Sequence, residues 1–305
     1  YVSNPEFLRE GTALSDTLFF DRVVVGGDNQ AAVDTVMDIY MNLEQFRDHI
    51  AHIAGIAIGV RGDRYIATSL NSAELIKVTS NAFLALKISF ANSIAKLADK
   101  TDADVVEVMS AVGADNRIGT AFLNAGRGYG GGCFPKDVSG LISSALEYGV
   151  DLDIMQAAQK VNASMPGYIV EKLQDEAGPL EGKKVAVLGL AFKAGTSDVR
   201  KSPGIAIANL LFRAGAVVVA YDPQGVHEAE AELHADIQLA GSITVAIKDA
   251  DITIITTEWQ EILSYPAASF AENMNGTTLF DAVNQYSTAD TEAAGLTYLG
   301  VGHKV

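Results

Sequence analysis

Apolar residues along the chain change their spacing twice, and the changes predict its layout. Val23, Val24 and Val25 make a β-branched run closed by Gly26 and Gly27, which predicts a short strand. Residues 28–46 follow as an expected helix capped at Asp28 or Asn29. Ahead of them Asn4-Pro5 disfavours helix, so residues 1–7 read as a strand end and a turn. Together these make a fragment of an α/β layer. Over residues 71–97, Leu75, Val78, Ala82, Leu86 and Ile94 keep helical spacing for about seven turns, with Phe83 and Phe90 beside them. A helix of that length suits a domain-spanning or oligomer-forming element. Thr101 or Asp102 is expected to cap a further helix through Val112. A glycine-rich segment then covers 126–132, and helices are expected over 135–148 and 151–176.

Near Glu181 the period becomes that of buried strands. Residues 184–189 and 217–222, and the run Ile252-Thr253-Ile254-Ile255, read as strands, with a helix expected over 203–214 between the first two. Strands alternating with helices predict a parallel, doubly wound sheet. The segment Ala177-Gly178-Pro179-Leu180-Glu181-Gly182 is the most plausible boundary before it, and no fixed-period repeat or low-complexity tract interrupts the chain.

Composition narrows the function classes. At 305 residues, with 49% apolar and 20% charged content, the chain can bury more than one core. Its longest apolar run, between His52 and Arg61, falls far short of the roughly 20 residues of a membrane-spanning helix, and no signal segment opens the chain. A net charge of −16, with 22 basic residues in no dense run, argues against nucleic acid, so an anionic ligand must be met by a few placed cations. One cysteine excludes an internal disulfide and suits a reducing compartment, here the cytoplasm. Because Tyr1 opens in the middle of what reads as folded sequence, a truncated product is expected.

Chemistry concentrates in residues 126–137. Five glycines among Gly126, Gly128, Gly130, Gly131 and Gly132 let a backbone approach a ligand closely. Pro135 suits the first turn of a helix, which places Cys133 at a helix N-terminus. That position, with Lys136 one turn along, favours thiolate over thiol, and Asp137 at i+4 is placed to steer a proton or a water. A lone cysteine is ordinarily a small buried hydrophobe, but its glycine, lysine and aspartate neighbours favour a nucleophile. Lys77 and Asn81 share a helix face with Glu74. A helical lysine normally faces solvent, yet Ile76, Val78 and Phe83 around this one leave open a buried cation at an oxyanion. Gly189-Leu190-Ala191-Phe192-Lys193-Ala194-Gly195, with Asp222 ending the next strand, departs from G-x-G-x-x-G. A nucleotide seat helped by Lys193 and Arg200, and a plain βαβ turn, are both open readings.

These segments resemble the UDP-glucose/GDP-mannose dehydrogenase family. Asn4-Pro5-Glu6-Phe7-Leu8-Arg9-Glu10-Gly11-Thr12-Ala13, Glu74-Leu75-Ile76-Lys77 with Asn81-Ala82-Phe83-Leu84-Ala85, Asp115-Asn116-Arg117-Ile118-Gly119, the Gly130 to Asp137 motif and Gly189-Leu190-Ala191-Phe192-Lys193 match it in order, over almost the whole chain. The resemblance, closer to the UDP-glucose branch, implies a remnant of an N-terminal NAD-binding Rossmann-like layer at 1–66. It further implies a central all-α dimerisation domain at 67–178 and a UDP-sugar-binding doubly wound domain at 179–305.

By residue, the resemblance implies an NAD-dependent four-electron oxidation of UDP-glucose to UDP-glucuronate through a thiohemiacetal and a thioester on Cys133. Glu6 and Asp137 would be the acid/base and water-positioning carboxylates, and Lys77 and Asn81 would hold the oxyanion. Phe7, Leu8 and Glu10 would line the sugar pocket. Asn124, Tyr129 and Gly130 would wrap the nucleotide sugar, and Phe192 and Lys193 would meet its uridine and phosphate side. Glu10, Lys136 and Arg200 would face NAD, and Arg117 would reach the partner's active site in a homodimer; no metal is called for. Two departures stand out. The glycine-rich NAD fingerprint and an active-site threonine that precede Asn4-Pro5-Glu6-Phe7 in the family are not in these residues, which implies weak cofactor binding and little turnover by this chain alone. Val283 stands where the family usually has an arginine, so a UDP-N-acetylhexosamine or GDP-mannose dehydrogenase is an open alternative, as is a non-catalytic nucleotide-sugar-binding module.

Overall fold

The computed structural model describes residues 1–53 and 64–303; the greater part of the apolar run between His52 and Arg61 lies outside them. The chain divides into two compact units, Tyr1–Asn81 and Ala82–Val305. Among the described residues no helix is long and apolar enough to cross a membrane.

In the first unit, α1 (Ala13–Leu18) precedes β1 (Val23–Gly26), whose four residues are all buried. The Asn29 side chain accepts from the Ala32 N–H at 3.1 Å and starts α2 (Gln30–Ile53). The chain returns in β2 (Tyr65–Thr68), parallel to β1, with Val23 opposite Tyr65. This βαβ layer encloses Phe20, Val23, Val25, Val33 and Met37. A Cβ on Gly26 would lie 2.4 Å from the Ser69 carbonyl oxygen, so only glycine lets β1 end against the start of α3 (Leu70–Thr101).

At 32 residues, α3 is about 48 Å long. Its second-unit part buries small residues rather than the large apolar ones that mark its spacing. Ala82, Ala85, Ser89, Asn92 and Ala95 point inward, while Phe83 and Phe90 are exposed and Leu86 and Ile94 only half-buried. Small side chains face the interior because neighbouring backbone comes close: Asn92 Oδ1 accepts from Gly126 N–H at 2.7 Å, and Ser89 Oγ donates to the Ala158 carbonyl at 2.8 Å. The next helix, α4 (Val105–Gly113), is capped by Asp104, whose extended backbone lets its carboxylate accept from Val106 and Glu107 N–H. The expected caps are elsewhere: Thr101 is the last residue of α3, and Asp102, with φ 57°, turns the chain out of it. α5 (Phe134–Glu147) and α6 (Asp153–Ala177) complete the helical part.

The C-terminal part runs β3 (Lys184–Leu188), α7 (Pro203–Arg213), β4 (Val217–Tyr221), α8 (Val226–Ala229), β5 (Gln238–Leu239), α9 (Ile243–Ile247) and β6 (Ile252–Ile255). It continues through α10 (Gln260–Leu263), α11 (Ala267–Asn273), β7 (Thr278–Asp281), α12 (Thr288–Ala293) and β8 (Thr297–Gly300). Six strands pair in parallel in the order β5-β4-β3-β6-β7-β8, so the winding reverses between β3 and β6. Alternation along β3 serves both faces. Val185 and Val187 join Ile207 and Leu211 of α7 and Met165, Ile169 and Leu173 of α6 in one core, while Ala186 and Leu188 pack with Ile247, Phe270 and Leu279 in the other.

Candidate functional site

In the first unit, Asn4 fixes the segment that carries Glu6 and Phe7, donating to the Val24 carbonyl at 2.8 Å and accepting from Tyr40 Oη at 2.7 Å. Lys77 Nζ donates to Glu6 Oε1 at 2.8 Å, and Leu8 N–H donates to Glu6 Oε2 at 2.7 Å. The Phe7 ring lies under two cations: Arg22 Cζ is 3.8 Å from its centroid and Lys77 Nζ 5.6 Å. Arg22 also reaches Ser80 Oγ at 3.2 Å. Lys77 is thus held by a carboxylate and an aromatic face rather than by the apolar neighbours the helix pattern suggested. Asn81, one turn on, is buried, whereas Glu10 is exposed and Leu8 lies largely at the surface.

In the second unit, the glycine loop is pinned at successive residues. Arg127 N–H donates to the Ala282 carbonyl at 2.8 Å. Asn162 on α6 clamps Tyr129 from both sides, accepting from its N–H at 2.8 Å and donating to its carbonyl at 3.0 Å. Gly131 N–H donates to the Arg200 carbonyl at 2.8 Å. Close approach explains the glycines. A Cβ on Gly130 would meet the Lys201 carbonyl oxygen at 2.4 Å, and one on Gly131, at φ 82°, would meet the Phe192 ring at 2.8 Å. One on Gly132 would fall 2.7 Å from the Arg200 guanidinium. The loop therefore runs beneath Phe192 and Arg200 and delivers Cys133, exposed, to the N-terminus of α5. Asp137 N–H donates to the Cys133 carbonyl at 2.8 Å, and the buried Asp137 carboxylate pairs with Lys136 at 3.3 Å.

The remaining residues singled out from sequence are dispersed. Lys193 Nζ lies 5.6 Å from the Phe192 ring centroid, and Arg200 is held bidentately by Asp198. Asn124 is exposed at the loop's start. Arg117, 88% exposed, pairs with Asp115 and lies at the surface. Asp222 is not left for a ribose: its carboxylate accepts from Leu190, Ala191, Gln224 and Gly225 N–H and from the Trp259 indole. Arg22, Asn92, Asn162, Arg127 and Glu258 belong to these clusters without having been foreseen. Only Arg127 carried a signal, a charged residue inside a glycine run. It is buried, and its Nη2 donates to the Phe192 carbonyl and to Glu258 Oε2, both at 2.9 Å.

Comparison with known proteins gives the family of the chain. The chain matches three domains of the UDP-glucose/GDP-mannose dehydrogenase family: the NAD binding domain over 1–44, the central domain over 71–164 and the UDP binding domain over 186–288. It is 38% identical to UDP-glucose 6-dehydrogenase YwqF of Bacillus subtilis, with 99% of this chain and 65% of the relative covered. Identity to the UDP-glucose 6-dehydrogenase of Rickettsia bellii is 39%, over 100% of this chain and 67% of that protein. The chain thus spans about two thirds of the length of these relatives. A solved UDP-glucose dehydrogenase from the archaeon Pyrobaculum islandicum superposes with a TM-score of 0.84 at 35% identity, covering 99% of this chain and 63% of that one. The chain belongs to the UDP-glucose/GDP-mannose dehydrogenase family.

Proposed function

We propose that this chain carries the cysteine chemistry and nucleotide-sugar binding of a cytoplasmic NAD-dependent UDP-glucose 6-dehydrogenase. The observation that carries this reading is the pinned glycine loop, which runs under Phe192 and Arg200 and presents an exposed Cys133 at a helix N-terminus. The functional segments of this reading are 1–66, 67–178 and 179–305.

A dinucleotide needs a glycine turn at a helix N-terminus and a carboxylate free for ribose. The C-terminal sheet does not offer this, since Asp222 is occupied by its own loop. The β1-α2-β2 unit is parallel and suits part of a cofactor layer. NAD, when bound, would supply the hydride acceptor, one NAD for each of the two oxidations. Cys133 adds as thiolate to the C6 aldehyde; the thioester left after the second oxidation is opened by a water that Asp137 holds. Lys77 and Asn81 donate to the developing oxyanion, and Glu6, already hydrogen-bonded to Lys77, exchanges protons with it. Phe7 and Leu8 line the sugar side, Tyr129 and Gly130 the nucleotide side.

We also propose a homodimer through α3, where Phe83, Phe90 and Leu97 recur every seven residues at 58%, 48% and 58% exposure. Arg117, exposed on the same chain, would serve the partner's site.

A thermal-shift panel tests the substrate reading. UDP-glucose is expected to stabilise the chain more than UDP-N-acetylmannosamine or GDP-mannose. Preference for either of the others moves the reading to a sibling dehydrogenase, and stabilisation by none of them overturns it.

A further inference from the structure

Open α/β sheets take ligands beyond the C-terminal ends of their strands, where the winding reverses. Here that point lies between β3 and β6. The loops leaving those strands carry Phe192 and Glu258, and Arg127 of the cysteine loop spans both through Nη2. Its other terminal nitrogen, Nη1, is enclosed and has no acceptor among the described residues. Buried polar groups are nearly always paired, and an enclosed guanidinium N–H without an acceptor is destabilising, so this donor calls for an explanation.

The chemistry of the guanidinium bears on the missing acceptor. Burial alone would raise the Glu258 carboxyl, but the charge and hydrogen bonds of Arg127 outweigh it and hold the carboxyl below its ordinary value, so Glu258 is ionised at neutral pH. The Glu258 side chain is 39% exposed and the Arg127 side chain paired with it 6%. A fixed guanidinium fork with a spare donor matches phosphate oxygen better than a neutral carbonyl.

We propose that Arg127 is a binding residue for the diphosphate of the nucleotide sugar: Nη1 donates to a phosphate oxygen while Nη2 keeps Phe192 and Glu258 in place. This rests on the nucleotide-sugar reading above. Calorimetric titration of the full chain with UDP, UDP-glucose and uridine tests it, alongside urea unfolding of each variant. R127M is expected to weaken UDP and UDP-glucose by about 10-fold or more and to leave uridine unchanged, the size of a lost hydrogen bond to a charged group. R127K keeps the charge but has one nitrogen in place of the planar fork and cannot take the places of both Nη1 and Nη2; it is expected to fall in the same direction and carries the test should R127M fail to fold. E258Q retains an acceptor for Arg127 and removes a negative charge, so UDP affinity is expected to hold or rise. Unchanged UDP affinity in R127M would overturn the proposal and assign Nη1 to a buried water. Equal losses for UDP and uridine in R127M and E258Q, in step with lost stability, would reduce the pair to a structural clasp. Wild-type chain that binds neither UDP nor UDP-glucose would remove the nucleotide-sugar reading and this proposal with it.

Discussion

Asp222→Ala separates a structural carboxylate from a ligand-binding one. Asp222 is 1% exposed, and five N–H donors converge on it. Gln224 is exposed, so water replaces the lost acceptor there; Leu190, Ala191, Gly225 and Trp259 are buried and have no such substitute. A buried donor left without an acceptor costs about 1–3 kcal/mol, so the four together put the loss at about 4 kcal/mol or more. That is exceptional for one substitution and close to the whole stability of many domains. Asp222→Asn keeps one oxygen but turns an NH2 toward N–H donors, and an intermediate loss of about 1–3 kcal/mol is expected. Trp259 is the sole tryptophan and its indole N–H is bound to Asp222, so its fluorescence through a urea titration reads this region directly, with circular dichroism as the second probe. A D222A chain within about 1 kcal/mol of wild type that no longer binds UDP-glucose would refute the structural assignment and return Asp222 to the ligand.

Three further outcomes are expected. Glu258 has a carboxyl held below its ordinary value, so its contribution to stability is present above the usual glutamate range near about 4.3 and is lost as pH falls through the lower folded value. The stability gap between wild type and E258Q should therefore narrow on acidification from pH 7 to about 3 in urea titrations; a gap that widens would contradict the sign. Cys133 is the only cysteine and is exposed, so iodoacetamide should label the native chain at one site without denaturant, by mass spectrometry; labelling that requires unfolding would bury the thiol and remove it as nucleophile. Phe90→Glu on α3 should shift sedimentation at micromolar concentration from dimer to monomer without loss of helicity, whereas a wild-type monomer would dispose of both the interface and the role proposed for Arg117.

Local rules made much of this protein legible from its residues. β-branched runs at Val23 to Val25 and Ile252 to Ile255 formed strands because such side chains pack on a pleated, buried layer, and Pro203 behind the capping Ser202 opened α7 where its fixed φ suits a first turn. Cys133 at the start of α5 followed from Pro135 in the same way. β5, β7 and β8 went unread: two to four residues long and partly polar, they are strands only because a parallel neighbour supplies their hydrogen bonds. Helical spacing located α3 but not the residues it buries, since periodicity counts large apolar residues. The interior instead required small ones, Ala82, Ala85 and Ala95, beside an Asn92 that binds a loop more than thirty residues away in sequence. Arg127 with Glu258, Asn162 with Tyr129, and the capture of Asp222 by its own loop are pairings between segments far apart along the chain. A residue type announces what chemistry a side chain can offer; which partner takes up that offer depends on distances that only the packed chain sets.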